Sequence, residues 1–534
     1  MLRRMNRRPG RWPAVTALAV VLTSALAAPR AQGAPGTAMD VRPDSALAET
    51  LRHLEGAPLR LEDAVQSALT QATDVRDAQG ALQAARGAMR RERGAFDPEL
   101  FADVTRSSRS QPKTTIFDTG LDRETAVSAG LGVRLPVGTE LKASLQTTRF
   151  ETDALLALLD PEYSTSGKLE ITQPLLKGFG PSAWKDLSGA RRDYEAALAK
   201  YDDAVVAMRT RVERTYWDLY AAVRDYGVAV VVRDGAAALV KEAETRGRAG
   251  IVGPGQVANA RVFLAEQEQV VLDREEALDS VSDQLGSLMG RRPEAERVRF
   301  LPTDEPPEEF TVEPLDTLLA RAYERNLSLK AAERDVAAAR ARARGAKWDM
   351  LPTLDLFGSI GGNGLAGQGR TVIFAGDTLT ADPALEGGFG DTWARVRNRD
   401  FPTWSAGVRL SVPIGFRAGA GEHERLTGEL QRAEQRYVST RRTLEEQVRA
   451  GYREFSHAQR RVEAARTGAD ASLEQVRIGL LEFRAGRTTA FELVRLAADL
   501  AASQQRFSEA LVRAAKSAAD LRRLTSGGGG ASNR

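Results

Sequence analysis

Few residues in this 534-residue sequence have the spacing of a catalytic, cofactor-binding or metal-binding motif. Gly362, Gly364 and Gly367 form a G-x-G-x-x-G pattern, which binds a dinucleotide when a helix opens there, but the sequence that follows reads as loop. None of the histidines is spaced as a metal ligand. The histidines are His53, His423 and His457. The chain has no cysteine, which excludes disulfides and thiol chemistry. We therefore expect no enzymatic activity, no cofactor and no metal site.

The second half of the chain repeats the first at a nearly constant offset. Leu61, Ala68, Ala84 and Pro98 recur as Leu315, Ala322, Ala338 and Pro352, and Val212, Tyr216 and Gly250 recur as Val448, Tyr452 and Gly486. This unit is far longer than a solenoid repeat. The pattern predicts one architecture made twice, with a helix, strands, a very long helix and a further helix in each half.

The apolar spacing predicts unusually long helices. Residues 185–249 carry a heptad seam over more than five heptads, which is typical of coiled-coil packing, and the second half repeats it less regularly. Residues 61–95 and 315–349 predict helices of about 35 residues, and 256–289 and 492–525 predict helices of about 34. Two shorter helices stacked end to end match one long helix, which gives a rod of roughly 100 Å.

Five segments alternate apolar residues with small or polar ones over about ten residues, as the strands of a membrane β-barrel do. A half-exposed soluble sheet is the alternative for any one of them. They are residues 126–135, 141–150, 163–173, 353–360 and 403–412. The hairpin over 124–150 is either part of the barrel or an extracellular flap. Residues 107–123 and the Gly-rich 361–391 predict surface loops.

The N-terminus reads as an export signal, because an arginine-rich start precedes the apolar run from Ala14 to Ala28, which is too short to span a bilayer. The net charge of +3 comes from interleaved acidic and basic residues, and this charge pattern does not indicate a nucleic-acid-binding surface. The predicted organisation is a signal peptide (1–28), an N-terminal extension (29–58), a first repeat (59–289), a Pro-rich acidic linker (290–314), a second repeat (315–525) and a flexible tail (526–534).

Short motifs at matching places in the two halves carry a resemblance to a known family. The segment from Phe483 to Val494 resembles an aromatic-x-x-Gly turn followed by small polar residues and an acid-Val-Leu sequence. The segment from Ala249 to Arg261 is similar to its partner in the first half. Asn326 to Lys330 resembles the opening of a repeat helix, and Gln173 to Leu176 a strand-to-helix corner. The chain thereby resembles TolC-type outer-membrane efflux proteins over nearly all of its mature length.

This resemblance implies an α+β membrane protein that assembles as a homotrimer. Long antiparallel coiled-coil helices would form a trimeric α-barrel through the periplasm, and pooled strands would form a shared transmembrane β-barrel in outer-membrane lipid. The implied function is the outer-membrane channel of a tripartite efflux or type I secretion system, a passive duct docked on a periplasmic adaptor that serves an inner-membrane pump. The alternative is a secreted coiled-coil adhesin or structural surface protein.

The resemblance also implies site residues at the helical turns. Glu492 matches the first of two acids that ring the family's pore constriction, Arg495 occupies the place of the second, and Gln256 stands where an acid is expected in the first half. A solvated acid near a helix start is the alternative for Glu492. The residues implied to dock the adaptor are Gly250, Gly253, Gly486 and Arg487.

Two arginines on the polar sides of the predicted strands are candidates for the barrel lumen. Arg134 follows Val133 in the first half, and Arg409 lies between Val408 and Leu410 in the second. Both side chains could line the lumen, or they could pair with carboxylates.

Overall fold

The computed structural model describes residues 43–115, 117–293, 299–307, 311, 313–485 and 487–527. The first half contains α1 (Pro43–Arg52), β1 (Ala57–Leu59), α2 (Leu61–Gln71), α3 (Thr73–Gly94), β2 (Glu99–Ser110), β3 (Leu121–Arg134), β4 (Glu140–Thr152), β5 (Leu159–Pro174), α4 (Pro181–Arg248) and α5 (Pro254–Met289). The second half contains β6 (Phe300–Pro302), α6 (Leu315–Arg325), α7 (Leu327–Asp349), β7 (Thr353–Gly369), β8 (Val372–Phe374), β9 (Asp377–Leu379), a 3-10 turn (Pro383–Leu385), α8 (Phe389–Asn398), β10 (Phe401–Ser411), α9 (Arg417–Arg484) and α10 (Ala490–Thr525). The predicted signal peptide and Gly486 lie outside the described residues.

The helices of the two halves have closely matching lengths. The long helices α4 and α9 both contain 68 residues, and α5 and α10 both contain 36. At 1.5 Å per residue each long helix extends for about 100 Å. No helix in the described ranges combines the length and hydrophobicity needed to cross a membrane.

The helix expected over residues 61–95 is two helices, because the chain turns at Ala72 (φ −60°, ψ 134°). A similar break at Asn326 separates α6 from α7. The Asn326 side chain accepts a hydrogen bond from the Leu329 N–H at 2.9 Å, which caps α7, whereas Ala72 offers no side-chain cap. Ala72 is instead buried in the core cluster, so the break coincides with a packed position and lacks a side-chain cap.

A single six-stranded antiparallel sheet lies at one end of the long helices, with strand order β10-β7-β5-β4-β3-β2. The hairpin of β3 and β4 is part of this sheet, because β3 pairs with β2 and β4 pairs with β5. Strand β2 was not expected from the sequence. The segment 290–314, expected to be a linker, contains β6, which pairs in parallel with β1.

The largest core cluster joins α4 to the paired strands β1 and β6 through Tyr216, whose side chain is fully buried. The N–H groups of Thr303 and Asp304 donate to its hydroxyl at 3.1 Å. That hydroxyl lies 2.9 Å from both the Leu59 carbonyl and the Asp304 carboxylate, either of which can accept its proton. Burial raises the pKa of Tyr216 to about 12, so the phenol stays neutral in the folded protein at ordinary pH.

Replacing Tyr216 with Phe is expected to lower the free energy of unfolding by about 1–3 kcal/mol, because the Asp304 N–H loses its acceptor, whereas the Thr303 N–H keeps the Leu59 carbonyl at 3.1 Å. The folded-state pKa lies above the usual value of about 10, so the hydroxyl's contribution is complete below pH 10 and falls as pH rises towards 12. Denaturant unfolding followed by circular dichroism should detect both effects. Tyr226→Phe, on the same helix, is the control and should change stability less; equal losses would contradict this role.

Candidate functional site: the helical turns and the two faces of the sheet

The turn between α4 and α5 is a Schellman motif centred on Gly250. The Ile251 N–H donates to the Arg246 carbonyl at 2.9 Å, and the Gly250 N–H donates to the Gly247 carbonyl at 3.0 Å. Gly250 has a φ of +69°, in the left-handed region that favours glycine. The sequence therefore fixes a compact, exposed loop end at the far end of the helical rod.

Gly253 takes a different conformation in the same turn. It is the N-cap of α5 with φ −77° and ψ 161°, which is extended backbone open to any residue, and Pro254 follows it at the first helical position. A Cβ atom added at Gly250 or at Gly253 would meet nothing within 4 Å. The two glycines therefore differ in backbone conformation and not in crowding.

The turn between α9 and α10 contains a matching backbone hydrogen bond. The Arg487 N–H donates to the Glu482 carbonyl at 2.9 Å, five residues back, as Ile251 does to Arg246. The Thr489 side chain then caps α10 by accepting from the Glu492 N–H at 3.3 Å. Gly486, predicted as a docking residue, lies outside the described residues, whereas Arg487 is exposed in the turn. The docking role of these residues stays a prediction.

The candidate constriction residues lie in the first turns of the two shorter helices. In α10, Glu492 Oε2 lies 3.8 Å from Arg495 Nη1, one helical turn away, and both side chains are substantially exposed. A pair of this kind contributes little to stability, so both charges are available to act on ions in the surrounding water. Gln256 is exposed in the first turn of α5. Their position at a pore constriction stays a prediction, since it depends on further copies of the chain.

Side chains alternate across each strand, so the cross-strand register gives the sheet two distinct faces. We call the polar face the one that carries charged, hydroxyl and amide groups. Its members include Asp103, Ser128, Lys142, Ser144, Ser166, Lys168, Glu170, Asp355, Ser359, Ser405 and Arg409. Arg134 also lies on this face, where it forms an ion pair with Glu140, its cross-strand partner. Arg409 lies opposite Asp355 and stacks over the Phe357 ring at 5.2 Å.

The opposite face, which we call the apolar face, exposes large hydrophobic side chains on every strand. Leu169 is 56% exposed, Val408 63% and Trp404 79%. Others on this face are Leu100, Val104, Val127, Leu131, Leu141, Ile171, Leu356, Ile360 and Leu410. A contiguous exposed face of this size marks a surface that meets protein or lipid.

The G-x-G-x-x-G segment lies within β7, and no helix opens at it. This geometry cannot hold a dinucleotide, which requires a helix N-terminus at the pyrophosphate. The glycines instead allow α8 to approach the sheet, because a Cβ at Gly364 would lie 2.2 Å from the Thr392 carbonyl oxygen. Within the described residues no cluster of three or more His, Cys, Asp or Glu side chains is placed to hold a metal ion.

Residues 318–527 match the sequence model of a protein family described as outer membrane efflux protein. No curated protein has a significantly similar sequence. The fold is similar to that of the outer-membrane channel OprN, with 18% identity, a TM-score of 0.60 and coverage of 93% of this chain and 97% of that one. It is also similar to the outer membrane protein VceC from Vibrio cholerae, with 16% identity, a TM-score of 0.59 and coverage of 88% and 96%. These matches confirm the resemblance that the sequence motifs predict.

Proposed function

We propose that this chain, whose second half carries an outer membrane efflux protein domain, is the outer-membrane channel of an efflux or secretion system. The observation that carries the proposal is the combination of one continuous sheet, apolar on one face and polar on the other, with helices of 68 residues. The apolar face would meet lipid, and the polar face would line a water-filled lumen. The matching element lengths of the two halves support an internal two-fold repeat.

A single copy of the chain leaves both edges of this sheet open. Within the described residues, β2 pairs only with β3, and β10 pairs only with β7. Unpaired backbone groups are too costly in lipid, so spanning sheets must close into barrels. In a homotrimer, β10 of one protomer would pair with β2 of the next, and six strands from each of three protomers would give eighteen.

The helices would extend the lumen away from the membrane. Helices α4 and α9 each provide about 100 Å of length, and the shorter pieces pack alongside them. Three protomers would surround one tunnel across the periplasm, with the turns at Gly250 and Arg487 at its mouth. We infer that an adaptor docks on these turns and connects the tunnel to an inner-membrane pump, and that residues 1–28 direct export of the chain.

The duct performs no chemistry and acts by providing an aqueous path. The polar face would supply Lys142, Lys168 and Arg409 along with Asp103 and Glu170, a mixture of signs that binds no single class of ion strongly. Selectivity would then be set at the narrow mouth, where charges from three copies come close together.

Oligomeric state and conductance together test the proposal. The mature chain purified in detergent is expected to be a stable trimer by light scattering, and to carry ionic current when inserted into a planar lipid bilayer. A stable monomer would contradict the shared barrel. A trimer that never conducts would contradict the duct.

Opposite shifts in ion selectivity are expected from the two charged residues of α10. Three copies of Glu492 would attract cations, and three copies of Arg495 one turn away would oppose that field within a Debye length of about 8 Å. Glu492→Gln should shift the zero-current potential in a salt gradient towards anion preference, and Arg495→Gln towards cation preference. Both shifts should shrink at high salt.

The matched control is Gln256→Glu, which adds a carboxylate in the first turn of α5, at the position corresponding to Glu492. If Gln256 also lines the mouth, this substitution should increase cation preference. Unchanged potentials in all three variants at low salt would place these residues away from the constriction.

A further inference from the structure

Helix α8 packs against the apolar face of the sheet, on the side that the proposed function assigns to lipid. Thr165 of β5 and Gly364 of β7 are cross-strand partners on this face, as are Gly167 and Gly362. The Thr392 hydroxyl of α8 hydrogen-bonds to the Thr165 hydroxyl at 2.7 Å, and both side chains are buried. The contact therefore joins the helix to the outward surface of the sheet and leaves the lumen side free.

The sheet is shaped to receive this helix. A Cβ at Gly362 would lie 3.1 Å from the Val396 carbonyl oxygen, and a Cβ at Gly167 would lie 2.9 Å from Val396 Cγ1. Arg395 donates to the carbonyls of Leu365 in β7 and of Ala384. The helix is thus held by close backbone approach and by buried polar contacts, so its opposite side has a fixed orientation.

The surface of α8 that the sheet leaves uncovered is aromatic on one flank and cationic on its outer side. Phe389, Trp393 and Arg397 follow one another at four-residue intervals, which places them on one stripe of the helix. Phe389 is 49% exposed and Trp393 is 44% exposed. Arg397 is exposed, and so is Arg399, which caps the helix in the left-handed conformation. No ion pair engages either arginine within the described part of the chain.

The height of α8 on the sheet matches a membrane interface. The helical end of β5 is at Pro174, and Thr165 lies nine residues away, about 30 Å along a strand. With the tilt of about 40° usual for barrel strands, this corresponds to roughly 23 Å of vertical rise, close to the ~25 Å height of the apolar band of such barrels. Thr392 of α8 therefore lies at the rim of that band farthest from the periplasm. The C-terminal end of the helix, where a Cβ at Gly362 would lie 3.7 Å from Arg399 Cα, is two strand residues nearer Pro174, about 7 Å along the strand.

We propose that α8 is an interfacial helix that binds phosphate groups of membrane lipids at the outer rim of the barrel. Phe389 and Trp393 enter the boundary between acyl chains and headgroups, where aromatic rings are favoured. The backbones of Arg397 and Arg399 lie somewhat deeper, and their long side chains extend outward to the headgroup phosphates, which a guanidinium can bind through two parallel hydrogen bonds. The inference rests on the proposed outer-membrane placement, because lipid must cover the apolar face.

The position of α8 is tested by fluorescence quenching of the full mature trimer in vesicles of brominated lipids. The fluorescence of Trp393 is obtained by subtracting the spectrum of Trp393→Phe from that of the wild type, and the fluorescence of Trp404 is obtained in the same way from Trp404→Phe. Trp404 lies on the apolar face beside Ile360, nearer the middle of the band. Bromine near the headgroup should quench Trp393 more strongly than bromine deep in the acyl chain, and the order should reverse for Trp404.

Phosphate binding is tested by native mass spectrometry with a phosphorylated glycolipid and its dephosphorylated form. Because each arginine near a lipid phosphate contributes about a fivefold gain in binding, Arg397→Gln/Arg399→Gln should retain roughly 25-fold less of the phosphorylated lipid. Arg109→Gln removes a guanidinium from the polar face and should retain it normally. If Trp404 is quenched and Trp393 is not, or if both lipids are retained equally, the inference about α8 is wrong while the proposed channel function stands. If neither tryptophan is quenched, the outer-membrane placement fails as well.

Discussion

Leu169→Arg is expected to prevent most of the protein from assembling in the outer membrane. Leu169 is exposed on the apolar face, next to Ala143 and Ile360 on the neighbouring strands. It lies five residues from Pro174, about 17 Å along the strand and near the middle of the apolar band. An arginine near the midplane on the lipid side costs about 2–4 kcal/mol in each protomer, and the trimer contains three copies.

The control is Ser166→Arg, which places the same side chain on the polar face three residues away. That side chain would lie in the aqueous lumen, so assembly should be nearly normal. Urea-dependent folding into lipid vesicles and the amount of trimer in outer-membrane fractions give the two readouts. In a soluble surface protein Leu169→Arg would be harmless or would improve solubility, so equal behaviour of the two variants would contradict the membrane barrel.

The sequence predicts the long helices well because their stability comes from patterns that repeat over many turns. The apolar spacing in 185–249 indicates α4 to within a few residues, and β3, β4, β5, β10 and the first part of β7 follow from strict alternation. This alternation does not predict strand β2. Its alternation is limited to Leu100, Ala102 and Val104, after which the segment from Arg106 to Ser110 is polar throughout. Pairing with β3 forms this strand, and a single sequence does not reveal that partner.

The Gly-rich segment after Ile360 was predicted as a loop for a sound local reason, since glycine weakens a strand. Strand β7 nevertheless continues to Gly369, because Gly362 and Gly364 lie under α8, which is formed by residues from later in the chain. The signal that could have revealed α8 is its own amphipathic pattern, with Trp393 and Arg397 four residues apart. The role proposed for the charges at the mouth cannot be derived from one chain, because Glu492 and Arg495 acquire a function only when symmetry brings copies together.

Gly250→Val is expected to reduce export at least about tenfold while leaving the amount of protein in the outer membrane unchanged. Gly250 has a φ of +69°, where an L-residue costs about 1–2 kcal/mol and a β-branched residue more. A Cβ there meets nothing within 4 Å, so the cost arises from the backbone alone. Strain of this size shifts the turn away from its Schellman geometry by about tenfold in each of three protomers. The sheet lies about 100 Å away and should fold normally.

Gly253→Val is the matched control, because it adds the same side chain to the same turn where φ is −77° and space is equally open. It should export normally if the shape of the turn is what an adaptor recognises. Gly250→Asn should export better than Gly250→Val, since Asn tolerates the left-handed conformation. Export is measured as resistance to a panel of toxic compounds and as protein released to the medium, with outer-membrane levels determined in parallel. Equal damage from both valine variants would mean that added bulk at the mouth matters and the conformation of Gly250 does not, and normal export by Gly250→Val would remove this turn from the docking surface.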